Sequence, residues 1–340
     1  MRQLTCVGRG EIEWRDVPAP TLQGPNEALI RPIAVARCEI DPYLIAFYQR
    51  GEPFALGHEA VAEIVSLGEE AGDFHVGQRV IVTFQVSCGR CATCVAGYTA
   101  NCAAYPLLSD YGMQPLSGVE YGGMLSELVR VPHATAMLQP LPAGFVPNDL
   151  ASVSDNVLDG YRSVAPHLQT HPGADVLFVS HGTPSIALYG IQTALAFGAG
   201  EVWFASDDAT SSAAAERLGA RVIRTDFSRA ERTFPIVVDC GVRPEGLHYA
   251  LRSTQGEGIC QSVSYYAVKT TPMPLARLYT MGIQFFIGRT HAAKLLPEVL
   301  AHIAAGRLRP AEVTSRVVGW EDALHAYLEP SIKLVVSRAS

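Results

Sequence analysis

Four of the chain's eight cysteines, Cys88, Cys91, Cys94 and Cys102, fall within fifteen positions at the spacing C-x2-C-x2-C-x7-C. Gly89 and Gly97 give the intervening backbone the freedom to fold four sulfurs around one point. Tetrahedral thiolate coordination is what a structural zinc requires, and a closed four-sulfur shell leaves no open position for chemistry. Three cysteines at successive three-residue steps are poorly placed to pair among themselves as disulfides. The cluster is therefore expected to hold a structural zinc, with an iron–sulfur cluster as the alternative that such a set allows.

A second set of metal-ligand residue types lies upstream, in Cys38-Glu39-Ile40-Asp41 and Gly57-His58-Glu59. With Val76-Gly77-Gln78-Arg79-Val80, the four-cysteine lobe and Ser154-Asp155-Asn156 following in that order, the chain resembles the zinc-dependent medium-chain dehydrogenase/reductase (alcohol dehydrogenase-like) superfamily over essentially its whole length. The resemblance implies a catalytic zinc held by Cys38, His58 and Asp155, with Glu59 as a fourth, exchangeable ligand. Three protein ligands leave a position for water or a substrate oxygen, so the metal can act as a Lewis acid toward an alcohol or a carbonyl. Asp41 matches a position that accepts a hydrogen bond from His58 and fixes its tautomer. Taken singly, each residue has an ordinary reading: a partly buried histidine, a core cysteine, an acid capping a helix. Their shared order sets them apart.

The expected cofactor segment runs from the apolar strand Val176-Leu177-Phe178-Val179-Ser180 into Gly182-Thr183-Pro184-Ser185-Ile186-Ala187 and a helix. With Gly182 as the first glycine of a dinucleotide fingerprint, Pro184 stands at the second and Ala187 at the third. Alanine still permits close helix packing, whereas proline adds bulk where backbone should approach a pyrophosphate. Proline in a first helical turn is equally well an ordinary helix start. Ser206 occupies the place where NAD enzymes usually carry an acid for the ribose hydroxyls, and Asp207 and Asp208 follow. No Arg or Lys adjoins them in sequence to hold a 2′-phosphate, which favours NAD, with NADP left open because some NADP enzymes also carry serine there. Lys333 matches the place of a cation near the pyrophosphate in the family, although the default for any lysine is a solvated surface.

Two further residues depart from the family pattern. The position two after the first zinc-binding cysteine is normally Ser or Thr, whose hydroxyl passes the substrate proton toward solvent, and here it is Ile40, which cannot relay a proton. Glu59, Tyr43, Tyr48 or an ordered water are the substitutes on offer. Glu39 replaces a residue that often faces the cofactor phosphates, which a carboxylate would repel unless it points away. Alongside a zinc-dependent hydride transfer between NAD(P) and an alcohol or carbonyl, these changes leave two alternatives: reduction of a conjugated or specialised carbonyl, and an inactive relative that binds zinc or cofactor. A zinc-independent quinone reductase would lack both metal sets.

The elements that must position these residues change character along the chain. Short β-like runs, Ala28 to Ala36, Ala60 to Leu67, Arg79 to Phe84 and Leu125 to Val131, fill the first 150 residues between Gly and Pro turns. Beyond Asp155, strands and helices alternate, which argues for a parallel, doubly wound sheet. Helical stretches from Lys294 to Ala305 and Trp320 to Leu328, and a strand Lys333 to Ser337, return to the first part. The expected fold class is thus α/β: an N-terminal β-rich, GroES-like catalytic domain (1–153 and 291–340, with the structural-zinc lobe at 86–103) plus a Rossmann dinucleotide-binding domain (154–290).

At 340 residues and 48% hydrophobic content the chain can bury two cores. A net charge of −7 without long charge runs gives no footprint for nucleic acid. The first ten residues lack the apolar stretch of a signal peptide or membrane span, so a cytoplasmic protein with no membrane partner is expected. Tyr43, Phe47, Phe84 and Tyr111 are candidate walls of a substrate pocket, and Cys6, Cys240 and Cys260 read as buried apolar residues. A homodimer or homotetramer is expected, with the run Thr280 to Ile287 as a candidate for pairing across a two-fold axis.

Overall fold

The structure, a computed structural model, describes residues 1–48, 51–268 and 270–338. Contacts divide it into two compact units, Met1–Leu158 with His291–Ala304 and Pro310–Ser340, and Asp159–Thr290 with Ala305–Arg309. Asp155 and Asn156 belong to the first of these.

The first unit is built on a sheet in which Arg316–Gly319, Leu334–Ser337, Ala28–Ala36, Glu59–Leu67, Arg79–Val82 and Leu138–Pro140 lie side by side, with Val129–Val131 also pairing with Ala28–Ala36. The register explains why distant residues meet. Ala36 stands opposite Glu59 on one side and opposite Val335 on the other, both antiparallel. Cys38 follows Ala36, His58 precedes the strand at Glu59, and Lys333 precedes the strand at Leu334, so all three leave the sheet at the same end. Pro32 sits in the central strand at an irregularity of the pairing with Glu59–Leu67, where its missing N–H is tolerated. Ala34, Ala36, Ala151 and Val335 pack together without exposure. Their small side chains bring the segment carrying Asp155 close to the sheet.

The second unit is a six-stranded, all-parallel sheet in the order Arg221–Arg224, Val202–Ser206, Val176–Val179, Phe234–Asp239, Thr254–Ser262, Gln284–Ile287. Continuous apolar runs such as Val176–Val179 are fully buried because helices cover both faces of such sheets. The strand order reverses direction at Val176–Val179, where a doubly wound sheet opens its ligand crevice. The expected α/β class is what the chain adopts.

Two segments differ from expectation. Arg2–Gly8 and Glu11–Asp16 form an antiparallel hairpin joined by Phe54–Ala55. Of the run from Leu125 to Val131, only Val129–Val131 is a strand. Leu125 instead bonds to two other segments, its N–H to Leu56 O at 3.0 Å and its carbonyl to the N–H of Leu4 in the strand Arg2–Gly8 at 2.8 Å.

Within the second unit, Asp239 is fully buried at the end of its strand. Its carboxylate accepts bonds from Ser262 Oγ at 2.7 Å, Tyr266 Oη at 2.8 Å and the Gly241 N–H at 3.1 Å. Burial pushes its pKa up to about 6 despite those donors. A carboxyl raised in the folded state favours folding below its unfolded value, and that advantage is lost as pH rises through about 6. Asp239→Asn is therefore expected to be more stable than the parent at pH 8, by on the order of 2 kcal/mol. The gain should shrink toward zero near pH 4, since both hydroxyls can turn from donor to acceptor. Urea unfolding of both proteins at several pH values measures this, and a difference independent of pH would contradict it.

Candidate metal centre and cofactor segment

Among the described residues, two groups of side chains could hold a metal: Cys88, Cys91, Cys94 and Cys102, and Cys38, His58, Glu59 and Asp155. In each group one donor atom per residue lies within 4.8 Å of all the others.

The four-cysteine group is shaped by its own backbone. Gly89 and Gly97 have φ of +69° and +90°, which side chains disfavour, and a Cβ on Gly89 would come within 2.7 Å of Ala136 Cβ. Backbone N–H groups point at sulfur, Cys88 N–H to Cys102 Sγ at 3.3 Å and Cys91 N–H to Cys88 Sγ at 3.4 Å. The Thr93 hydroxyl and nearby N–H groups hold the Cys91 thiol down to about 5, while burial raises Cys94 to about 12. None of the eight cysteines is in a disulfide. A tetrahedral cation fits this donor set.

The second group is buried. Gly57 carries φ of +87°, and a Cβ there would sit 3.1 Å from the Leu125 N, so the turn that delivers His58 needs glycine. The His58 ring packs 5.7 Å from Phe84. Its Nδ1 is 3.2 Å from Asp41 Oδ1, and its Nε2 is 3.3 Å from Asp155 Oδ2 and 3.9 Å from Glu59 Oε1. Asp41 is itself fixed by the Tyr327 hydroxyl, which donates to Oδ2 at 2.7 Å, and by the Cys38 N–H at 3.1 Å. Asp155 and Asn156 lie in a π-helical turn, Val153–Val157, closed by a Val157 N–H to Ser152 O bond of 3.3 Å. Such wide turns recur at functional sites.

Burial pushes the Cys38 thiol up to about 12, with the Asp155 charge adding to it. Burial likewise raises Glu59 to about 8, against the pull of Lys333. Burial opposes a charged His58, yet Asp41, Asp155 and Cys38 outweigh it and hold its pKa well above the usual value. Glu59 Oε2 is buried without a hydrogen-bond partner. Three acidic donors and an imidazole crowded out of water are a poor arrangement by themselves, and a divalent cation is what makes them compatible.

Lys333 was expected near a pyrophosphate. The structure places it wholly buried in the first unit, its Nζ 2.8 Å from Glu59 Oε1 and bonded to Asn156 Oδ1. It is not a solvated surface lysine. Ile40 opens the helix Ile40–Ala46 two residues after Cys38. The rings of Tyr43 on that helix and Phe47 at its end meet at 4.4 Å, tilted by 35°, whereas Tyr111, fully buried with its hydroxyl bonded to Arg130 O, is a core residue and no pocket wall. Tyr48 donates to the Gly51 carbonyl.

In the second unit, Gly182 has φ of +109°, and a Cβ there would meet Val242 Cγ2 at 2.9 Å. Pro184 is the first residue of the helix Pro184–Ala196, where its lost N–H is one the helix could not use. Thr183 stands at the N-cap without capping, because its hydroxyl donates to the Cys240 carbonyl. Thr183 therefore gives this helix start no side-chain cap, and an uncapped helix start suits a phosphate. Ser206 is turned inward, accepting from the Asp208 N–H at 3.1 Å, and Asp208 caps the helix Ala209–Arg217 through Ser211 N at 2.6 Å. Asp207 is half exposed, 3.9 Å from His181 Nε2. A feature hidden in the sequence is Arg224, which the parallel register sets opposite Ser206. No cation adjoins Ser206 along the chain, but one does across the sheet.

These features define a class: a β-rich unit carrying two metal-ligand clusters, joined to a parallel-sheet unit of dinucleotide-binding type. Residues 24–143 match the alcohol dehydrogenase GroES-like domain. A probable zinc-binding alcohol dehydrogenase of Mycobacterium tuberculosis is 23% identical over 96% of this chain and 84% of its own length. The sorbitol dehydrogenase of Bacillus subtilis is 26% identical over 90% and 86%. Among solved structures, the alcohol dehydrogenase of Thermus sp. ATN1 superposes with a TM-score of 0.89 at 25% identity, covering 99% of both chains. The chain belongs to the zinc-dependent medium-chain dehydrogenase/reductase, alcohol dehydrogenase-like, superfamily. Its fold and clusters are consistent with an NAD(P)-dependent oxidoreductase.

Proposed function

We propose that the protein transfers hydride between a nicotinamide cofactor and a small alcohol or carbonyl compound, with two zinc ions per chain. The convergence of Cys38, His58, Glu59 and Asp155 on one buried point, separate from the four-cysteine group, carries this reading. An inactive relative has no use for a second, open set of ligands. Bound by Cys38, His58 and Asp155, zinc would supply Lewis acidity toward the substrate oxygen, and a nicotinamide would take or give the hydride. The chain's own residues do the rest. Asp41 and Tyr327 hold His58 in place, Lys333 holds Glu59, and the burial of all of them keeps bulk water from the ligands. For the cofactor, Gly182, Thr183, Pro184, Ser185 and Ile186 would receive the phosphates, and Ser206 and Asp207 would meet the adenosine ribose. Asp207 favours NAD. Arg224 beside Ser206 is the observation on the side of NADP.

Ile40 supports a second reading, in which the substrate is a conjugated or specialised carbonyl whose reduction does not use the usual hydroxyl relay. No helix among the described residues is long and apolar enough to cross a membrane. The strand Gln284–Ile287 ends its sheet with Phe286 and Ile287 exposed, which suits pairing with a second copy in a homodimer or homotetramer.

The purified chain should carry two zinc ions, bind NADH more tightly than NADPH in a nicotinamide fluorescence titration, and pass deuteride from labelled cofactor to one of a panel of ketones and enones. One zinc with no cofactor binding would leave only the inactive scaffold. Turnover confined to simple alcohols and ketones would remove the second reading.

A further inference from the structure

Asn156 follows the proposed ligand Asp155, and the sequence pattern gave it no task. In the structure both side chains of this adjacent pair reach the cluster. An α-helix would swing them apart, and the wider π turn lessens that divergence. The Asn156 amide makes three contacts there. Its Oδ1 takes a hydrogen bond from Lys333 Nζ, and its Nδ2 lies 3.4 Å from Cys38 Sγ and 3.3 Å from Asp155 Oδ2. The orientation of the amide is not arbitrary. A lysine ammonium only donates, so the atom facing it must be the carbonyl oxygen, which leaves the NH2 group for the sulfur and the carboxylate. Lys333 is in turn held by Glu59 at 2.8 Å, and all of these groups are buried.

We infer that Asn156, clamped by Lys333, is a positioning residue that donates hydrogen bonds to two ligands of the metal at once and thereby sets how strongly the Cys38 sulfur gives electrons to it. The inference rests on the reading of this cluster as a zinc site. A thiolate that accepts an N–H bond is a weaker electron donor, so the metal it binds is a stronger Lewis acid. The same two bonds fix the spacing of Cys38 and Asp155, two ligands 117 residues apart in sequence by their numbers. The cation of Lys333 offsets part of the negative charge that Cys38, Glu59 and Asp155 gather around the point.

The test uses the full chain stripped of metal and titrated with cobalt(II), whose sulfur-to-metal charge-transfer band reports on the thiolate. The four-cysteine group serves as an internal control. In the parent, two cobalt ions bind, and the difference spectrum between one and two ions isolates the Cys38 band. Asn156→Leu, similar in shape but without donors, is expected to weaken the second cobalt roughly ten- to a hundredfold. It should also move that band to longer wavelength, because sulfur without its N–H donor releases electrons more readily. The double variant Glu59→Gln with Lys333→Met removes the clamp without stranding a buried carboxylate, and should move the band in the same direction. Parent-like affinity and an unmoved band in Asn156→Leu overturn the inference while leaving the metal site intact. An unmoved band in the double variant overturns the part assigned to Lys333. If Asn156→Leu loses the four-cysteine cobalt as well, Asn156→Ser decides by the same two readings. Uptake of a single cobalt by the parent overturns the site itself, and the inference with it.

Discussion

His58→Ala is expected to leave the chain folded with one zinc instead of two and to lower turnover by about a thousandfold or more, which is ~4 kcal/mol of lost transition-state stabilisation. The argument is one of geometry. His58 Nε2 lies between the two carboxylates of the cluster, 3.3 Å from Asp155 and 3.9 Å from Glu59. An alanine there leaves only Cys38, Glu59 and Asp155 to hold the ion, without the imidazole nitrogen that completes the set. Cys38→Ser should act alike, since serine stays protonated where thiolate ligates. Asp41→Asn should be milder, because it keeps the shape beside His58 Nδ1 and loses only the charge that orients the ring. A ten- to hundredfold loss of metal affinity is the expectation. Glu59→Gln should cost least, since the carboxylate is held by Lys333. Metal content by elemental analysis and steady-state turnover, measured on one preparation of each variant, give the ranking. Activity within threefold of the parent in a one-zinc His58→Ala protein would rule out the role proposed for this cluster.

What could be read from the chain depended on whether the signal was local. The four cysteines announce themselves because all four ligands lie on one short loop, and the structure gathers them as their spacing required. Cys38, His58 and Asp155 were legible through their order along the chain, although nothing local says that they meet. Cys38 and His58 meet because Ala36 is in register with Glu59, and Asp155 reaches them through the packing of Ala151 on Ala34, Ala36 and Val335, so the site is a property of several segments at once. The burial of Lys333 is hidden for the same reason, since it follows from its place just before Leu334–Ser337 and cannot be seen in Ser331-Ile332-Lys333. Arg224 escaped notice because it adjoins Ser206 across the sheet and not along the chain. The hairpin strand Glu11–Asp16 is harder to read because it is short and largely exposed, and only Ile12 and Trp14 carry its alternation. In the second unit the strands Val176–Val179 and Phe234–Asp239 were plain, since burial on both faces demands unbroken apolar runs.

Removal of the four-cysteine metal should have the larger effect on stability, and it should be local before it is global. The loop holds little apolar surface of its own: Val95, Tyr98 and Leu107 face solvent. Its fixed shape depends on the convergence of four sulfurs, and without a cation the thiols take up protons and nothing holds them to one point. It also supports a neighbour. The Ala100 N–H donates to His291 Nδ1 at 3.2 Å, the rings of Tyr98 and His291 meet edge to face at 5.5 Å, and the Lys294 chain lies over Gly97. Loss of the loop therefore exposes the start of the helix Ala292–Ala304. Cys102→Ser is expected to cost on the order of 4–5 kcal/mol, the range reached when a structural metal is lost. Hydrogen exchange should show the pattern directly, with protection falling at 88–103 and in the first turn of Ala292–Ala304 while Val176–Val179 and Val202–Ser206 keep theirs. Elemental analysis should find the zinc of the Cys38 cluster still present. A Cys102→Ser protein with parent-like protection at 88–103 would mean that packing, not metal, holds this loop, and the structural reading of the four sulfurs would have to be given up.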